Sequence, residues 1–165
     1  MTGSSHSMEL SLEQELIRDL NQARPTYQAL ANIDLVDRIE LVREGLPAQT
    51  LLSLARNMGV SRETLFQWAG IAAATAKRRI SREERLNLEE SERVLSLLSM
   101  VAQADRIVTE SGDPTDFDAG RWLAQWLTQP NRSLAGKVPA DYLDTIEGRE
   151  LLRNRIGQMQ SGAYS

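Results

Sequence analysis

The fold is decided by residues 45–80, which read GLPAQTLLSLARNMGVSRETLFQWAGIAAATAKRRI. Apolar residues recur in this stretch at spacings of three and four, which is the period of an amphipathic helix. Gly59 and Gly70 interrupt that period, and Ser61 is a preferred N-cap residue that stands directly before a helical pattern. The stretch therefore predicts three short helices joined by two tight turns, at about residues 48–58, 62–69 and 72–79.

Three such helices can contain a helix-turn-helix, in which a positioning helix, a glycine-bearing turn and a groove-reading helix follow one another. Two registers are open. In the first, residues 51–58 form the positioning helix, Gly59 the turn and residues 62–68 the reading helix. In the second, the middle helix is the positioning helix, Gly70 forms the turn and residues 72–79 read DNA. A simple helical hairpin with its basic residues in solvent is the structural alternative to both.

We favour the second register because of the chemistry of its reading helix. The positioning helix of the first register has a small residue, Ala55, four residues before its glycine, which fits the motif better than Phe66 at the corresponding position of the second register. Alanines at the start of the third helix would let that helix approach a groove closely. The hydroxyl and basic side chains behind them can reach base edges and phosphates. The predicted DNA-binding residues are Thr75, Lys77, Arg78, Arg79 and Arg82.

The bases of this region form a local positive patch on an acidic protein. The chain of 165 residues has a net charge of −4, yet five bases fall between residues 77 and 85. Phosphate contacts need only a local field, so the acidic total is compatible with docking on DNA. A solvated helix face is the alternative interpretation of such a charge run.

The composition argues against an enzyme. The chain has no cysteine and a single histidine, His6, which excludes thiolate metal sites, disulfides and multi-histidine sites. It has no glycine-rich phosphate loop and no nucleophile elbow. Turn and capping chemistry explains Asp113, Asp116 and Asp118 better than a metal site does. We therefore expect no catalytic residue, no metal and no cofactor.

The sequence shows no membrane-spanning or secretory segment. A membrane span needs a run of about 18 apolar residues, and none is present. The first residues, MTGSSHSMEL, lack a basic region followed by an apolar stretch. We therefore expect a cytoplasmic protein with no membrane partner.

The rest of the chain also has helical patterns, so the predicted fold class is all-α. A long amphipathic helix near residues 88–110 is expected to join a helix-turn-helix-containing N-terminal lobe to a small helical C-terminal lobe. The best boundary is SGDPTD, residues 111–116. We expect a disordered tail over residues 1–8, an N-terminal domain with its bridging helix over 9–110, and a C-terminal domain over 111–165.

Four further helices complete the prediction, at about residues 11–22, at 35–44, from Asp116 to 127, and from a Thr145 cap to about 162. In the second of these, Ile39 and Val42 are expected to face inward. In the third, Trp122 and Trp126 are four residues apart on an apolar face, which is typical of core packing.

The C-terminal third carries a family resemblance. Residues 121–165, RWLAQWLTQPNRSLAGKVPADYLDTIEGRELLRNRIGQMQSGAYS, resemble the toxin-binding domain of the Xre/MbcA/ParS antitoxins, which act opposite RES-domain toxins. Residues 45–80, with LNLEESERVLSLL after them, resemble that family's Xre-like helix-turn-helix and its next helix. The resemblance runs from about residue 37 to the end. The matching C-terminal positions are Trp126, Leu127, Pro130, Asn131, Leu134, Gly136, Pro139, Leu143, Thr145, Gly148, Gly157, Met159, Gly162 and Tyr164.

The resemblance implies a homodimeric antitoxin that binds and represses its own operator and neutralises a RES toxin. Such toxins resemble ADP-ribosyltransferases and deplete NAD, and the antitoxin's C-terminal segment covers or enters the toxin's active site. On this sequence the toxin surface would centre on the loop 131–138 and the segment 157–165. The implied toxin-binding residues are Asn131, Leu134, Gly136, Gly157, Gln158, Met159, Gly162, Tyr164 and Ser165.

One position departs from the family pattern, because Gln158 stands where members often have arginine. A neutral amide can hydrogen-bond in a polar pocket but carries no guanidinium charge. A block by shape that involves Tyr164 is therefore the alternative to a charged plug. The alternative function is a plain helix-turn-helix regulator with a helical dimerisation domain and no toxin partner.

Overall fold

The computed structural model describes residues 10–160, and its regular structure is helical over that whole range, which confirms the predicted all-α class. Two short 3₁₀ turns, Arg132–Leu134 and Pro139–Tyr142, separate the last two α-helices. In chain order the α-helices are α1 (Leu12–Leu20), α2 (Gln28–Ala31), α3 (Leu35–Glu44), α4 (Gln49–Met58), α5 (Arg62–Trp68), α6 (Ala73–Ser81), α7 (Leu88–Ser111), α8 (Ala119–Thr128) and α9 (Ile146–Gln160).

Side-chain caps set most helix starts where the sequence predicts them. Ser61 accepts a hydrogen bond from the backbone N–H of Thr64 at 3.1 Å, which fixes the start of α5. Thr145 does the same for α9, with its Oγ1 2.9 Å from the N–H of Gly148. At α7, Asn87 and Glu90 form a reciprocal capping box.

The long helix α7 is the centre of the molecule. Its 24 residues span about 36 Å at the usual rise of an α-helix. It packs against α2 and α3 on the N-terminal side and against α8 and α9 on the C-terminal side. Val94, Leu98 and Val101 are completely buried along it. The predicted bridging helix therefore contributes core residues to both ends of the fold.

The helices share one hydrophobic core. Buried residues from α1 through α9 form a single continuous cluster, and α8 packs directly on α4. That contact is close, since a Cβ added to Gly120 would lie 2.4 Å from the carbonyl oxygen of Asn57. The two predicted lobes are consequently held together by packing as well as by the chain.

The structure corrects three details of the prediction. Helix α8 begins at Ala119 rather than at Asp116, because the carboxylate of Asp118 caps it by accepting from the N–H of Arg121. The prediction that Ile39 faces inward is wrong, since 41% of this residue is exposed, whereas Val42 is buried as predicted. The short helix α2 was not predicted.

The helix α2 is set by a buried carboxylate. Asp19 accepts hydrogen bonds from the backbone N–H groups of Thr26 and Tyr27, both at 2.7 Å, and from the hydroxyl of Thr26. Those bonds hold Tyr27 in the left-handed region, with φ +58°, directly before α2. A turn made by one distant side chain leaves no periodic signal in the sequence, which explains the omission.

Candidate functional site

Helices α4, α5 and α6 form two successive helix-turn-helix pairs. Gly59 ends α4 with φ +66° and Gly70 follows α5 with φ +70°, so both turns use the left-handed conformation that glycine adopts without strain. Ala55 and Phe66 are both buried between the helices. Both registers, α4–Gly59–α5 and α5–Gly70–α6, therefore have the local geometry of a helix-turn-helix.

The predicted DNA-binding side chains lie along α6 and its C-terminal cap. Ala76 is completely buried and fixes the rotation of the helix, which leaves Lys77, Arg78 and Arg82 exposed. Thr75 is half-buried. Lys77 lies 3.8 Å from Glu63 and Arg82 lies 4.0 Å from Glu84, both as exposed ion pairs. Such pairs contribute little to stability, so these cations can exchange them for phosphates.

Arg79 is held differently from its neighbours. Its guanidinium donates to Glu90, and the two side chains are 19% and 8% exposed. The same Glu90 oxygen accepts from the backbone N–H of Asn87 in the capping box of α7. Arg79 thus ties α6 to the start of α7, and it could contact a phosphate only by giving up a partly buried ion pair.

Under the first register, α5 would present a different set of groups. Its exposed positions are Arg62, Glu63 and Gln67, while Leu65, Phe66 and Trp68 are buried. That face carries one base and one acid, so it is less positive than the face of α6. Gln67 could still read a base edge, because an amide offers both a donor and an acceptor.

The loop 131–138 is closed by its own backbone. The N–H of Asn131 donates to the carbonyl of Lys137 at 3.0 Å, and the N–H of Gly136 donates back to Asn131 at 2.9 Å. The side chain of Asn131 accepts from Ser133, and Ala135 and Gly136 are both left-handed. The tip at Gly136 is open, with nothing within 4 Å of the place where a Cβ would stand.

Leu134 is the anchor of this loop. It is 7% exposed and belongs to the hydrophobic core. Arg132, Ala135 and Lys137 are exposed around it. A partner would meet those exposed groups first, so Leu134 supports the shape of the surface from beneath.

The C-terminal candidate segment begins inside α9. Leu152 and Ile156 are completely buried on the inner side of this helix. Gly157 and Met159 are half-buried, and Gln158 is exposed. The predicted toxin-binding residues Gly162, Tyr164 and Ser165 lie outside the described residues.

An arginine lies beside the Gln158 amide on α9. Arg155 donates to the side-chain oxygen of Gln158 at 3.3 Å. A guanidinium is therefore present one turn before position 158. The identity of residue 158 alone does not reveal this neighbour.

The aromatic residues of α8 and the aspartates before it have local roles. Trp122 and Trp126 stack with ring centroids 6.2 Å apart and pack against the core. Asp113 accepts from the backbone and hydroxyl of Thr115, and these hydrogen bonds lower the pKa of the Asp113 carboxyl. Within residues 10–160, no group of three or more His, Cys, Asp or Glu side chains could hold a metal ion, and no helix is long and apolar enough to cross a membrane.

Comparisons with known proteins match both halves of this architecture. The model of the antitoxin Xre-like helix-turn-helix domain matches residues 37–99, and that of the antitoxin Xre/MbcA/ParS C-terminal toxin-binding domain matches residues 105–162. A protein of Sphingobium sp. (strain YBL2) named "Prs ADP-ribosylating antitoxin" is 37% identical over 139 residues, which cover 84% of this chain and 87% of that protein. The chain belongs to the Xre/MbcA/ParS antitoxin family.

Two further relatives carry the name "Antitoxin Xre". One, from Photorhabdus laumondii subsp. laumondii, is 26% identical over 76% of this chain and 79% of its own length. The other, from Pseudomonas putida, is 26% identical over 90% of both chains. The resemblance seen in the sequence is thereby confirmed. The protein is an antitoxin of a toxin–antitoxin system, with a helix-turn-helix domain and a toxin-binding domain, and it is not an enzyme.

Sequence reasoning missed one surface. The matched helix-turn-helix range includes α3, whose Leu35 and Val36 are 72% and 67% exposed. A run such as LVDRIELV has the spacing of a core helix, so the pattern alone indicates burial. One signal in the sequence argues against full burial: the run contains more apolar residues than a single helix face can hold.

Proposed function

We propose that this antitoxin belongs to a type II system and neutralises a RES-domain toxin that consumes NAD. It does so by covering the toxin's active site with the loop 131–138 and the segment 157–165. It also represses its own operon in the cytoplasm as a homodimer that binds operator DNA. The observation that carries the proposal is the match of the toxin-binding family to residues 105–162, which include the closed loop and the end of α9.

The chemistry of the toxin has two supports. The family resemblance points to RES toxins that deplete NAD. The name of the Sphingobium relative contains the words "ADP-ribosylating", and an ADP-ribosyl group is taken from NAD. Both supports lead to a partner with an NAD site, and they differ in whether the ADP-ribose goes to water or to a protein.

A truncation tests the position of the blocking segment. The shortened chain should end at Ile156, because Ile156 is completely buried and its loss would damage the core. The full-length antitoxin is expected to capture the toxin encoded beside it and to stop its NAD consumption. Removal of residues 157–165 should abolish both effects while the circular dichroism spectrum is retained. Removal of residues 2–8 is the control, and it should change neither.

The outcomes separate the possible functions. Undiminished neutralisation by the chain that ends at Ile156 would overturn the proposed position of the block. Absence of any toxin partner, with specific binding to the chain's own promoter, would favour the plain regulator. NAD loss without a modified protein would assign hydrolysis to the toxin, and a labelled protein would assign ADP-ribosyl transfer.

A further inference from the structure

A pocket of about 320 Å³ is lined by residues of α2, α3, α7 and α9. Arg38 of α3, Arg106 of α7 and Arg153 of α9 line it, and within the described residues no carboxylate group does. Asp105, the neighbour of Arg106 in the chain, lines a different pocket. Three guanidinium groups from three helices are therefore collected at one place, on a chain whose net charge is −4.

Two of these arginines are fixed in place without being neutralised. The half-buried Arg38 donates to Ser99 Oγ at 2.8 Å and the half-buried Arg153 donates to Ser96 Oγ at 3.1 Å. Neither of them, nor Arg106, forms an ion pair within 4.0 Å in the part of the chain that the structure describes. A charged group that is removed from water is usually paired, because an unpaired buried charge is costly. The serines orient the two cations but leave their charge uncompensated.

The electrostatics of the pocket favour an anion. Burial and the neighbouring Arg153 lower the pKa of Arg38, and burial and Arg149 lower the pKa of Arg153. Glu150, one turn before Arg153 on α9, partly offsets this effect, but it lines an adjoining groove and not this pocket. The buried Nε of Arg153 also has no hydrogen-bond acceptor within the described residues. A bound anion would relieve the repulsion between these guanidinium groups.

The remaining walls of the pocket suit a small polar molecule. Ser99, Gln103 and Arg106 follow one another along a single face of α7, at spacings of four and three residues. Gln103 donates to the carbonyl of Arg153 at 3.1 Å, which ties α7 to α9 at this pocket. Ala102, on the same face, carries only a methyl group and leaves the pocket open. Its volume is at the lower end of the range for small-molecule sites, so the ligand would be small.

We propose that this pocket is a binding site for a phosphate group, either as free phosphate or as the phosphate of a small ester. Arginine suits this chemistry because its planar guanidinium donates two parallel hydrogen bonds to phosphate oxygens and keeps its charge at neutral pH. The matched helix-turn-helix domain provides Arg38, and the matched toxin-binding domain provides Arg106 and Arg153. The bound anion would therefore bridge the two domains. The inference goes beyond the proposed function and does not depend on it.

Titration calorimetry on the full-length antitoxin, in a buffer free of phosphate and sulfate, tests the site. The probes are inorganic phosphate and ribose 5-phosphate, with ribose as the probe that lacks the phosphate group. Saturable binding of at least one phosphate probe, and none of ribose, is expected. The thermal unfolding midpoint should rise with the concentration of that probe, because a ligand that binds only the folded state stabilises it. The preferred probe tells whether the pocket takes free phosphate or an ester.

Two variants separate a built site from general attraction to positive charge. Arg106→Gln should weaken the binding by about 10-fold or more, since it removes a charge-assisted contact. Arg106 is exposed, so folding should be retained. Ala102→Leu keeps every charge but fills the pocket, and it should also weaken the binding while the circular dichroism spectrum is retained. Arg18→Gln is the matched control, because it makes the same change of charge at an exposed arginine of α1 outside the pocket.

The outcomes decide between this site and its alternatives. Absence of saturable binding of both phosphate probes, or equal weakening by Arg18→Gln, would overturn the site. A lower salt slope of operator binding with Arg106→Gln would assign the arginines to the DNA backbone and would also overturn it. Weaker probe binding by Arg106→Gln and Ala102→Leu, with operator binding unchanged, supports it. No toxin takes part in these titrations, so failure of the site would leave the proposed function standing.

Discussion

Arg79 is the predicted DNA contact whose role the tertiary structure changes most. Its neighbours Lys77, Arg78 and Arg82 are exposed, whereas Arg79 pairs with the buried Glu90 at the junction of α6 and α7. The net contribution of such an ion pair to stability is small, but removal of one partner is costly because it leaves the other charge buried and unpaired. Two adjacent arginines in the sequence are thus expected to have separable effects.

The substitutions Arg78→Ala and Arg79→Ala should differ in what they impair. Arg78→Ala should flatten the salt dependence of operator binding by roughly one unit of slope, because one phosphate contact is lost, and should leave stability unchanged. Arg79→Ala should lower the free energy of unfolding by about 2–3 kcal/mol, because Glu90 loses its partner. Binding titrations at several salt concentrations and urea denaturation measure the two effects.

The same titrations decide the register of the helix-turn-helix. Arg62→Ala on α5 is the comparison variant, since Arg62 is exposed on the helix that reads DNA in the first register. A flattened slope with Arg62→Ala and an unchanged one with Arg78→Ala would mean that α5 enters the groove. The opposite result would establish α6 as the reading helix.

Among the helices, α4 and α8 make a close contact between the two matched domains. The missing side chain of Gly120 allows α8 to approach the end of α4, where the carbonyl of Asn57 leaves no room for a Cβ. Leu123 and Leu127, on the same helix, are completely buried. Glycine is a poor helix former, and at position 120 it is needed because only a residue without a Cβ lets α8 pack this closely on α4.

Gly120→Ala should destabilise the protein by about 1–3 kcal/mol, because the added Cβ would have to push α8 away from a backbone carbonyl. Gly157→Ala is the matched control. It is also a glycine-to-alanine change inside a helix, but its Cβ would meet the flexible side chain of Gln103 at 3.2 Å. It should be neutral or stabilise by up to about 1 kcal/mol. Equal urea midpoints for the two variants would contradict this packing.

For the molecule as a whole, one hydrophobic core is continuous across the two domains. Helix α7 contributes buried residues to both, and the cluster of apolar side chains is continuous from α1 to α9. Domains that share a core in this way are expected to unfold together. The family matches divide the sequence at residues 99–105, within α7, and so do not mark a break in the packing.

Unfolding in urea should therefore show a single transition. A variant with Trp68→Phe reports through Trp122 and Trp126 in α8, and a variant with both α8 tryptophans replaced by phenylalanine reports through Trp68 in α5. In each variant the fluorescence midpoint should coincide with that of far-ultraviolet circular dichroism. Separate midpoints within one variant would show that the domains unfold independently.

Several features of this protein were predictable because they depend on neighbours in the sequence. Ser61, Thr145 and the glycines at 59 and 70 set helix ends through bonds and conformations within a few residues. The order of the C-terminal motif residues was sufficient to indicate the family. The local positive charge of α6 also follows from sequence alone.

Other features could not be predicted because they depend on residues far apart in the chain. The turn before α2 depends on a hydrogen bond from Thr26 to the carboxylate of Asp19, seven residues away, and Arg79 pairs with Glu90, eleven residues away. Helical periodicity shows that α3 has an apolar face but not that α7 and α9 leave part of it uncovered. Whether the pocket of Arg38, Arg106 and Arg153 exists was therefore outside the reach of any local pattern.

The sequence by itself determined most of the helices, several of their caps and the antitoxin family of this protein, since these depend on local hydrogen bonding, periodicity and motif order. Only the tertiary structure decided which charges are paired and which apolar faces remain exposed. The physical reason is that burial is a property of the packed helices: a side chain loses its water, or finds its ion-pair partner, only when a distant helix covers it.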